Sequence, residues 1–244
     1  MRLAVISDIH GNLLALEAVL ADIARRGADA TINLGDVVAS PLWPRETFER
    51  WSALNIPTVR GNHDRWILEK TEAELSFAGR IARNTLTEAQ RATLHALPAT
   101  IRFAEDILAV HGTPTDDSTY LLEDPSSGLL APAKRETVAQ RLGAEARPQL
   151  ILCGHSHRQA IVQGPGGCTI VNPGSVGCPV FADAPPAPGL EHRSPHARYA
   201  ILTKRGARWS AELIALEYDW DTAARRAAEH GNAAWARAIA TGAV

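Results

Sequence analysis

Short apolar runs alternate with amphipathic stretches along the first part of the chain. Residues 3–6 and 30–34 are apolar over a length typical of buried strands. Between them, apolar side chains recur at the spacing of one helical face, at Leu16, Val19, Leu20 and Ile23, and Gly27 is predicted to end that helix. A second helix is predicted after Pro44, and the β-branched run at residues 56–59 predicts a third strand. This alternation favours a largely parallel sheet covered by helices.

The middle of the chain continues the alternation. Residues 65–98 have a helical pattern, within which Thr-Glu-Ala-Gln at 87–90 is typical of a capping box. Residues 107–110 and 150–153 are short apolar runs that again predict strands. A helix is predicted between these two runs, over residues 134–142.

The pattern changes in the later part of the chain. β-like runs separated by glycine-containing turns predict antiparallel strands and hairpins, at residues 160–162, 169–171, 199–202 and 209–216. Asp221 is predicted to cap a last helix, which Gly231 interrupts. Because no linker is evident, we expect a single domain over residues 1–244.

Composition is typical of a globular protein and disfavours some classes of binding partner. Of its 244 residues, 45% are hydrophobic and 21% are charged, which is enough apolar material for a full core. The formal net charge is −2 and no cluster of lysine and arginine stands out, so neither extended nucleic acid nor a membrane is expected as a partner. The apolar opening is too short for a signal peptide or a spanning helix. Three cysteines, an odd number without metal-type spacing, indicate reduced thiols in a cytoplasmic protein.

Side chains that can bind a metal follow five of the apolar runs. In chain order they are Asp8 and His10, Asp36, Asn62 with His63, His111, and His155 with His157. Because ligands collect outside the carboxyl ends of strands in α/β sheets, we expect these side chains to meet. Alternate side chains of an extended chain point the same way, so the pair Asp8 and His10, like the pair His155 and His157, is predicted to converge on one centre. Singly these motifs are common turn and capping features, but together they indicate metal-assisted hydrolysis of a charged ester.

The motifs resemble those of the calcineurin-like metallophosphoesterases. The resemblance is carried by Asp8-x-His10, Gly35-Asp36, Gly61-Asn62-His63-Asp64, His111 and Gly154-His155-Ser156-His157. Residues 172–177, Asn-Pro-Gly-Ser-Val-Gly, resemble a further element of the small bacterial and archaeal phosphodiesterase branch. The resemblance covers essentially the whole chain and implies an α/β fold, a four-layer α-β-β-α sandwich of two mixed β-sheets flanked by helices. It also implies two metal ions at the sheet edge.

The same resemblance implies a role for each motif residue. One ion would be held by Asp8, His10 and His157, the other by Asn62, His111 and His155, and Asp36 would bridge both. Imidazole combined with carboxylate and amide oxygen suits two divalent ions such as Mn, our first expectation, or Fe, Zn, Ni or Co. A hydroxide bridging the ions would attack phosphorus in line. The catalytic residues would be His63, as general acid for the leaving alkoxide, and Asp64, which orients His63; a helix cap is an alternative role for Asp64.

One departure from the family bears on the substrate. After Asp36 the chain reads Val-Val-Ala-Ser-Pro, without the Asp-Arg-Gly pattern of the protein serine/threonine phosphatases, and so lacks one phosphate-binding arginine. Arg60, Arg65 and Arg158 lie beside motifs and could replace it. Because a diester carries a single negative charge, we expect a phosphodiesterase acting on a small phosphoester or nucleotide-like substrate.

Two alternative functions remain open. One is a hydrolase of dinucleoside polyphosphates or phosphomonoesters. The other is a non-catalytic metal-binding scaffold, which the presence of His63 and of every ligand disfavours. Residues 182–195, rich in proline and alanine with His192 and His196 nearby, are expected to form either a lid over the site or a surface loop.

Overall fold

The computed structural model of the protein describes residues 1–104, 106–127, 130–143, 148–180, 193–206 and 208–243. Within these ranges the chain forms eleven strands and eight helices. The strands are β1 (Arg2–Ile6), β2 (Ala30–Asn33), β3 (Thr100–Phe103), β4 (Ile107–Val110), β5 (Glu123–Asp124), β6 (Ala131–Pro132), β7 (Leu150–Leu152), β8 (Gln159–Gln163), β9 (Thr169–Pro173), β10 (Ala197–Arg205) and β11 (Arg208–Leu216). The helices are α1 (Leu13–Arg26), α2 (Pro44–Ser52), α3 (Asn62–Glu69), α4 (Phe77–Thr85), α5 (Glu88–His95), α6 (Arg135–Leu142), α7 (Trp220–Glu229) and α8 (Ala233–Thr241).

The strands are arranged in two mixed sheets and a short hairpin. The first sheet has the order β11-β10-β1-β2, the second has the order β3-β4-β7-β9-β8, and β5 pairs with β6. In the first sheet β1 runs parallel to β2 and antiparallel to β10. In the second, β4, β7 and β9 are parallel, and the edge strands β3 and β8 are antiparallel to their neighbours. The parallel strands of both sheets therefore direct their carboxyl ends toward the predicted motifs.

Alternating strand residues build the layers of the fold. Between the sheets, buried side chains meet from both sides: Leu3, Val5 and Ile32 from the first sheet, and Ile107, Ala109, Leu150, Leu152 and Val171 from the second. Ala4 and Ile6 alternate to the opposite face of β1, in a cluster with residues of α1. Val138 and Leu142 of α6 pack on the outer face of the second sheet. The four-layer α-β-β-α sandwich expected from the resemblance is confirmed.

Two of the predicted end signals of the helices are confirmed, and a third is wrong. The helix predicted from its apolar face is α1, and Gly27 ends it in the left-handed conformation with φ 72°. Thr87 and Gln90 form the capping box of α5. The predicted cap at Asp221 is wrong, because α7 starts earlier: the side chain of Asp219 accepts from the backbone N–H of Thr222 at 3.0 Å.

Pairing differs from the prediction in the segment at residues 56–59. It forms a single parallel bridge, Thr58 opposite Asn33, in place of a third strand. The backbone N–H of Asn33 donates to the Pro57 carbonyl, and the N–H of Val59 donates to the Asn33 carbonyl, each at 2.9 Å. Pro57 has no N–H with which to continue the ladder. In the later part of the chain, the expected hairpins β8–β9 and β10–β11 form, but β9 also pairs in parallel with β7.

The expectations for membrane helices, for the cysteines and for residues 182–195 can also be compared with the described structure. No helix in the described ranges is long and apolar enough to cross a membrane. The three cysteines, Cys153, Cys168 and Cys178, are buried free thiols. Residues 182–192, most of the segment for which a lid or a loop was expected, lie outside the described residues.

Candidate metal centre

The seven predicted metal ligands lie together beyond the carboxyl ends of the strands. Asp8 and His10 follow β1, Asp36 follows β2, Asn62 begins α3, His111 follows β4, and His155 and His157 follow β7. All seven are buried, and His155 is the most exposed of them at 8%. The sheet edge therefore brings together residues that are up to 149 positions apart in the chain, from Asp8 to His157.

The backbone at these motifs is not extended, which corrects the reason given for their convergence. Asp8, His10, Asp36, His155 and His157 all have positive φ, between 46° and 65°. Such left-handed conformations are uncommon for residues with a side chain and often occur at functional sites. Tight turns, and not the alternation of an extended strand, orient these side chains.

Three of the seven residues form a first group around one point. The Asp8 Oδ1 atom lies 3.2 Å from His157 Nε2 and 3.9 Å from His10 Nε2. The two Nε2 atoms of His10 and His157 are 3.2 Å apart. Three ligand atoms within such distances can hold one metal ion.

A second group forms on the other side of Asp36. The Asp36 Oδ2 atom lies 3.4 Å from His111 Nε2, and the Asn62 Oδ1 atom lies 2.9 Å from the same nitrogen. Asp36 Oδ2 also lies 3.7 Å from His10 Nε2 in the first group. The His155 ring lies 5.2 Å from the His111 ring, which places His155 beside the second group, whereas His157 lies in the first. One carboxylate oxygen of Asp36 thus faces both groups, and Asp8 Oδ1 also lies 4.0 Å from His111 Nε2.

Unpaired buried atoms mark the centre. Six buried side-chain nitrogen or oxygen atoms of the described residues have no hydrogen-bond partner, and three of them are here: Asp8 Oδ1, Asp36 Oδ2 and His155 Nδ1. The other polar atom of each side chain is engaged. Asp8 Oδ2 accepts from Ser7 Oγ at 2.5 Å, Asp36 Oδ1 accepts from the His63 N–H at 2.9 Å, and His155 Nε2 lies 3.0 Å from the Ser118 carbonyl. Because an unsatisfied buried polar group costs about 1–3 kcal/mol, a bound cation is the expected partner of these atoms.

Backbone carbonyls fix the orientation of all four imidazoles. The Nδ1 atoms of His10, His111 and His157 lie 2.9, 2.7 and 2.5 Å from the carbonyl oxygens of Ala39, Leu34 and Cys178. His155 uses Nε2 for the Ser118 carbonyl instead. A carbonyl only accepts, so each of these nitrogens carries a proton, and the opposite nitrogen is the one left to bind a metal ion. This is the usual arrangement of metal-binding histidines.

The electrostatics also suit a cation. Burial alone would raise the pKa of Asp8, but the positive charge of the neighbouring His157 lowers it to about 2. Burial likewise opposes ionisation of Asp36, yet the charges of His111 and His63 hold its pKa well below the usual value. Burial lowers the pKa of His111, but the charge of Asp36 raises it to about 10, so a proton there balances the carboxylates when no ion is bound. The residues present therefore fit divalent ions in donor type, in orientation and in charge.

His63 lies at the edge of this centre, half-buried on the first turn of α3. Its ring is 5.4 Å from the His10 ring and 5.0 Å from the Trp66 ring, edge-on to both. Burial lowers the pKa of His63 to about 4, although the charge of Asp36 acts in the opposite direction. The ring is therefore neutral near pH 7 in the free protein.

Asp64 contacts backbone groups through both carboxylate oxygens. Its Oδ2 atom accepts from the N–H groups of Asp36 at 2.8 Å and Gly61 at 3.0 Å, and its Oδ1 atom accepts from Val37 at 3.0 Å. The bond to Gly61 caps α3, which is the alternative role, and the other two tie the helix to the loop that follows β2. This geometry favours positioning of the Asp36 loop over orientation of the His63 ring.

Close approach of the loops requires glycine at two motif positions. A Cβ atom on Gly61 would lie 2.1 Å from Asp36 Oδ1, and one on Gly154 would lie 2.1 Å from Ser7 Oγ and 2.9 Å from Asp8 Oδ2. The glycine before Asn62 and the glycine before His155 therefore let each ligand loop reach its neighbour.

Each of the three arginines considered as phosphate ligands has at least one partner in the protein, although Arg60 Nε is buried without one. Arg60 Nη1 donates to the His95 carbonyl at 2.9 Å, and Arg158 Nη1 donates to the Leu130 carbonyl at 2.6 Å. Arg65 binds Asp117 through two nitrogens, at 2.8 and 2.7 Å.

Sequence reasoning missed the residues that contact the ligand histidines on the side away from the centre and fix their orientation. Ser118 and Cys178 act through their carbonyls, which carry no side-chain signal. The Tyr120 ring stacks on the His155 ring, with centroids 4.6 Å apart and an angle of 24° between the planes. An aromatic residue nine positions after His111 was the one signal available in the sequence.

Comparison with known proteins supports these findings. Residues 1–190 match the family model described as the calcineurin-like phosphoesterase superfamily domain. An uncharacterised protein of Methanocaldococcus jannaschii is 29% identical over 241 residues, covering 89% of this chain and 88% of that protein. The structure of a metallophosphoesterase from Sphaerobacter thermophilus is similar with a TM-score of 0.74 at 28% identity, covering 99% of this chain and 100% of that one. A hypothetical protein from Pyrococcus horikoshii shares the fold, with a TM-score of 0.77 at 18% identity and coverage of 99% and 98%.

Proposed function

The chain belongs to the calcineurin-like phosphoesterase superfamily, and from that membership we propose that it is a phosphodiesterase with a dinuclear metal centre. The observation that carries this proposal is the set of three buried, unpaired ligand atoms, Asp8 Oδ1, Asp36 Oδ2 and His155 Nδ1. A site built only for stability would satisfy such atoms within the protein.

The two ligand groups suggest how the ions are shared. Asp8, His10 and His157 would hold one ion, Asn62, His111 and His155 would hold the other, and Asp36 would bridge them. The distances of Asp36 Oδ2 to His10 and His111, 3.7 and 3.4 Å, support the bridge. Manganese is our first choice among the divalent ions that these donors suit, ahead of iron, zinc, nickel and cobalt. When bound, two such ions polarise a phosphoryl group and lower the pKa of water to about 7.

His63 is the proposed general acid. Its half-exposed ring stands beside His10, where it can reach a leaving-group oxygen of an ester held at the centre. The negative charge of a bound ester favours the protonated imidazole and so offsets the effect of burial on its pKa. Asp64 acts as a positioning residue, because its carboxylate holds the loop that carries Asp36 against the first turn of α3.

The preference for a diester is supported by Arg65, whose charge is already paired with carboxylates. A monoester dianion carries an extra charge that usually calls for a guanidinium beyond the metals. Arg65 is committed to Asp117, while Arg60 and Arg158 donate to backbone carbonyls. A diester, with one negative charge, needs no such group.

The test is a comparison of kcat/KM for a nitrophenyl phosphodiester and the matching monoester, metal by metal. The proposal predicts faster turnover of the diester in Mn²⁺. Faster turnover of the monoester with every metal would contradict the diester preference. Binding of two ions without hydrolysis of any ester, dinucleoside polyphosphates included, would favour the scaffold.

A further inference from the structure

We propose that the ion pair between Arg65 and Asp117 is a positioning device for the second metal ligand group. It acts on His155 through the loop of residues 113–120, here called the Asp116 loop. The inference rests on the proposed function, because it takes His155 as a metal ligand.

The Asp116 loop is organised around one side chain. Asp116 Oδ1 accepts from the Ser118 N–H at 2.8 Å, and Asp116 Oδ2 accepts from Thr119 Oγ1 at 2.6 Å. The Thr113 N–H donates to the Asp116 carbonyl at 2.8 Å, and the Asp116 N–H donates to Thr113 Oγ1 at 3.0 Å. These bonds make the loop a compact unit whose shape is set locally, but they do not determine where that unit lies relative to the metal centre.

Asp117 fixes the position of this unit. Arg65 Nε and Nη2 donate to the two oxygens of Asp117 at 2.8 and 2.7 Å, a bidentate pair in which both side chains are largely shielded, with exposures of 24% and 12%. Bidentate pairs of this kind are directional as well as strong. Arg65 lies on α3, whose first turn carries Asn62 and His63. The pair therefore holds the loop against the helix that presents one second-group ligand and the proposed acid.

Two residues of the loop then contact His155. The Ser118 carbonyl lies 3.0 Å from His155 Nε2, and the Tyr120 ring stacks on the imidazole at 4.6 Å. The first contact fixes which nitrogen carries the proton, and the second fixes the plane of the ring. Together they leave Nδ1 as the nitrogen without a hydrogen-bond partner, in a ring that lies beside the His111 ring. Partners of this type usually change metal affinity by about 10–100-fold when they are lost.

Arg65 also offers a matched control within the same side chain. Its remaining nitrogen, Nη1, donates to Glu69 at 2.7 Å. That pair lies within α3 and does not contact the Asp116 loop. Glu69→Gln removes one ion pair of Arg65, and the contact of Glu69 with His95, without releasing the loop. Asp117→Asn instead weakens the pair that holds the loop.

The experiment is a titration of the metal-free protein with Mn²⁺. Calorimetry measures the affinity for each ion, and electron paramagnetic resonance detects the signal of two coupled Mn²⁺ ions. His155→Ala identifies the ion that depends on this ligand. Asp117→Asn is expected to weaken the same ion about 10–100-fold and leave the other ion within about twofold. Glu69→Gln should match the wild type at both ions, and Asp117→Glu, which restores the charge, should recover part of the loss.

Three results would overturn the inference, and they are distinguishable. Unchanged binding of both ions in Asp117→Asn, with one ion lost in His155→Ala, would reject the positioning role while leaving the proposed function intact. Equal weakening of both ions with a lower melting temperature of the metal-free protein would show a general structural role. Wild-type binding by His155→Ala would reject the proposed ligand set, and the inference with it.

Discussion

Two clusters of buried carboxylates among the described residues differ in how their oxygens are used. Asp22 on α1 is 3% exposed, and its oxygens accept hydrogen bonds from Arg25, Arg26 and the Tyr199 hydroxyl of β10. At the metal centre, Asp8 and Asp36 each keep one buried oxygen without a hydrogen-bond partner. In the first cluster, protein groups satisfy both oxygens of the carboxylate, and the bond from Tyr199 connects α1 to the first sheet. The second leaves buried oxygens for which a bound cation is the expected partner. Burial of an acid alone therefore does not indicate a functional site, whereas burial with an unused oxygen does.

The comparison predicts that changes at the centre reduce activity and leave stability intact. The largest effect concerns His63. His63→Gln should keep two metal ions and the wild-type melting temperature, but slow hydrolysis of an ester with a poor leaving group by roughly 10²–10⁴-fold, because the leaving oxygen is no longer protonated. A nitrophenyl diester needs little protonation and should lose less. Equal losses on both esters would remove the acid role from His63.

Changes at the Asp22 cluster should do the reverse. Asp22→Asn replaces an ionised acceptor of three hydrogen bonds and leaves the Tyr199 hydroxyl poorly satisfied, so the free energy of unfolding should fall by about 1–3 kcal/mol. Metal content and kcat/KM should match the wild type. Urea unfolding of the metal-free proteins measures the change in the free energy of unfolding. A loss of bound metal in Asp22→Asn would contradict the distinction between the two clusters.

A smaller effect follows from the ionisation of Asp22. Burial would raise its pKa, but the hydrogen bonds from Tyr199, Arg26 and Arg25 lower it below the ordinary value of 3.8. A carboxyl group with a depressed pKa stabilises the fold above its unfolded pKa and loses that contribution as the pH falls through its folded pKa. The stability difference between wild type and Asp22→Asn should therefore be constant from pH 7 to about pH 5 and shrink below about pH 4. A stability difference that grows on acidification would contradict a lowered pKa of Asp22 in the folded protein.

Much of the fold could be predicted from the sequence, because its signals are local. The apolar face of α1, Gly27 at its end and the Thr87 capping box each depend on residues a few positions apart. The single bridge at Thr58 was missed because Pro57 interrupts a run whose composition is otherwise typical of a strand. The cap at Asp219 was missed because Asp221, two residues later, carries the same signal.

At the metal centre, residue identities were more predictable than geometry. The motifs named the seven ligand candidates that the structure brings together, but not Ser118, Tyr120 and Cys178, which contact them. The sequence does not reveal that Asp8, His10, Asp36, His155 and His157 adopt left-handed backbone conformations, because only the packing of neighbouring loops imposes them. Arg65 illustrates the same limit: beside a motif it predicts a phosphate ligand, but its partner Asp117 lies 52 positions away and makes it an anchor for a loop.

The most direct test of the account is the metal content of Asp36→Ala. Its carboxylate is proposed to serve both ions, and its Oδ2 atom faces His10 of one group and His111 of the other. Wild type, Asp36→Ala and Asp22→Asn would be loaded with Mn²⁺, desalted and analysed for bound metal per chain. The account predicts two ions in wild type and Asp22→Asn, and loss of both ions in Asp36→Ala. Retention of two ions at wild-type affinity by Asp36→Ala would contradict it.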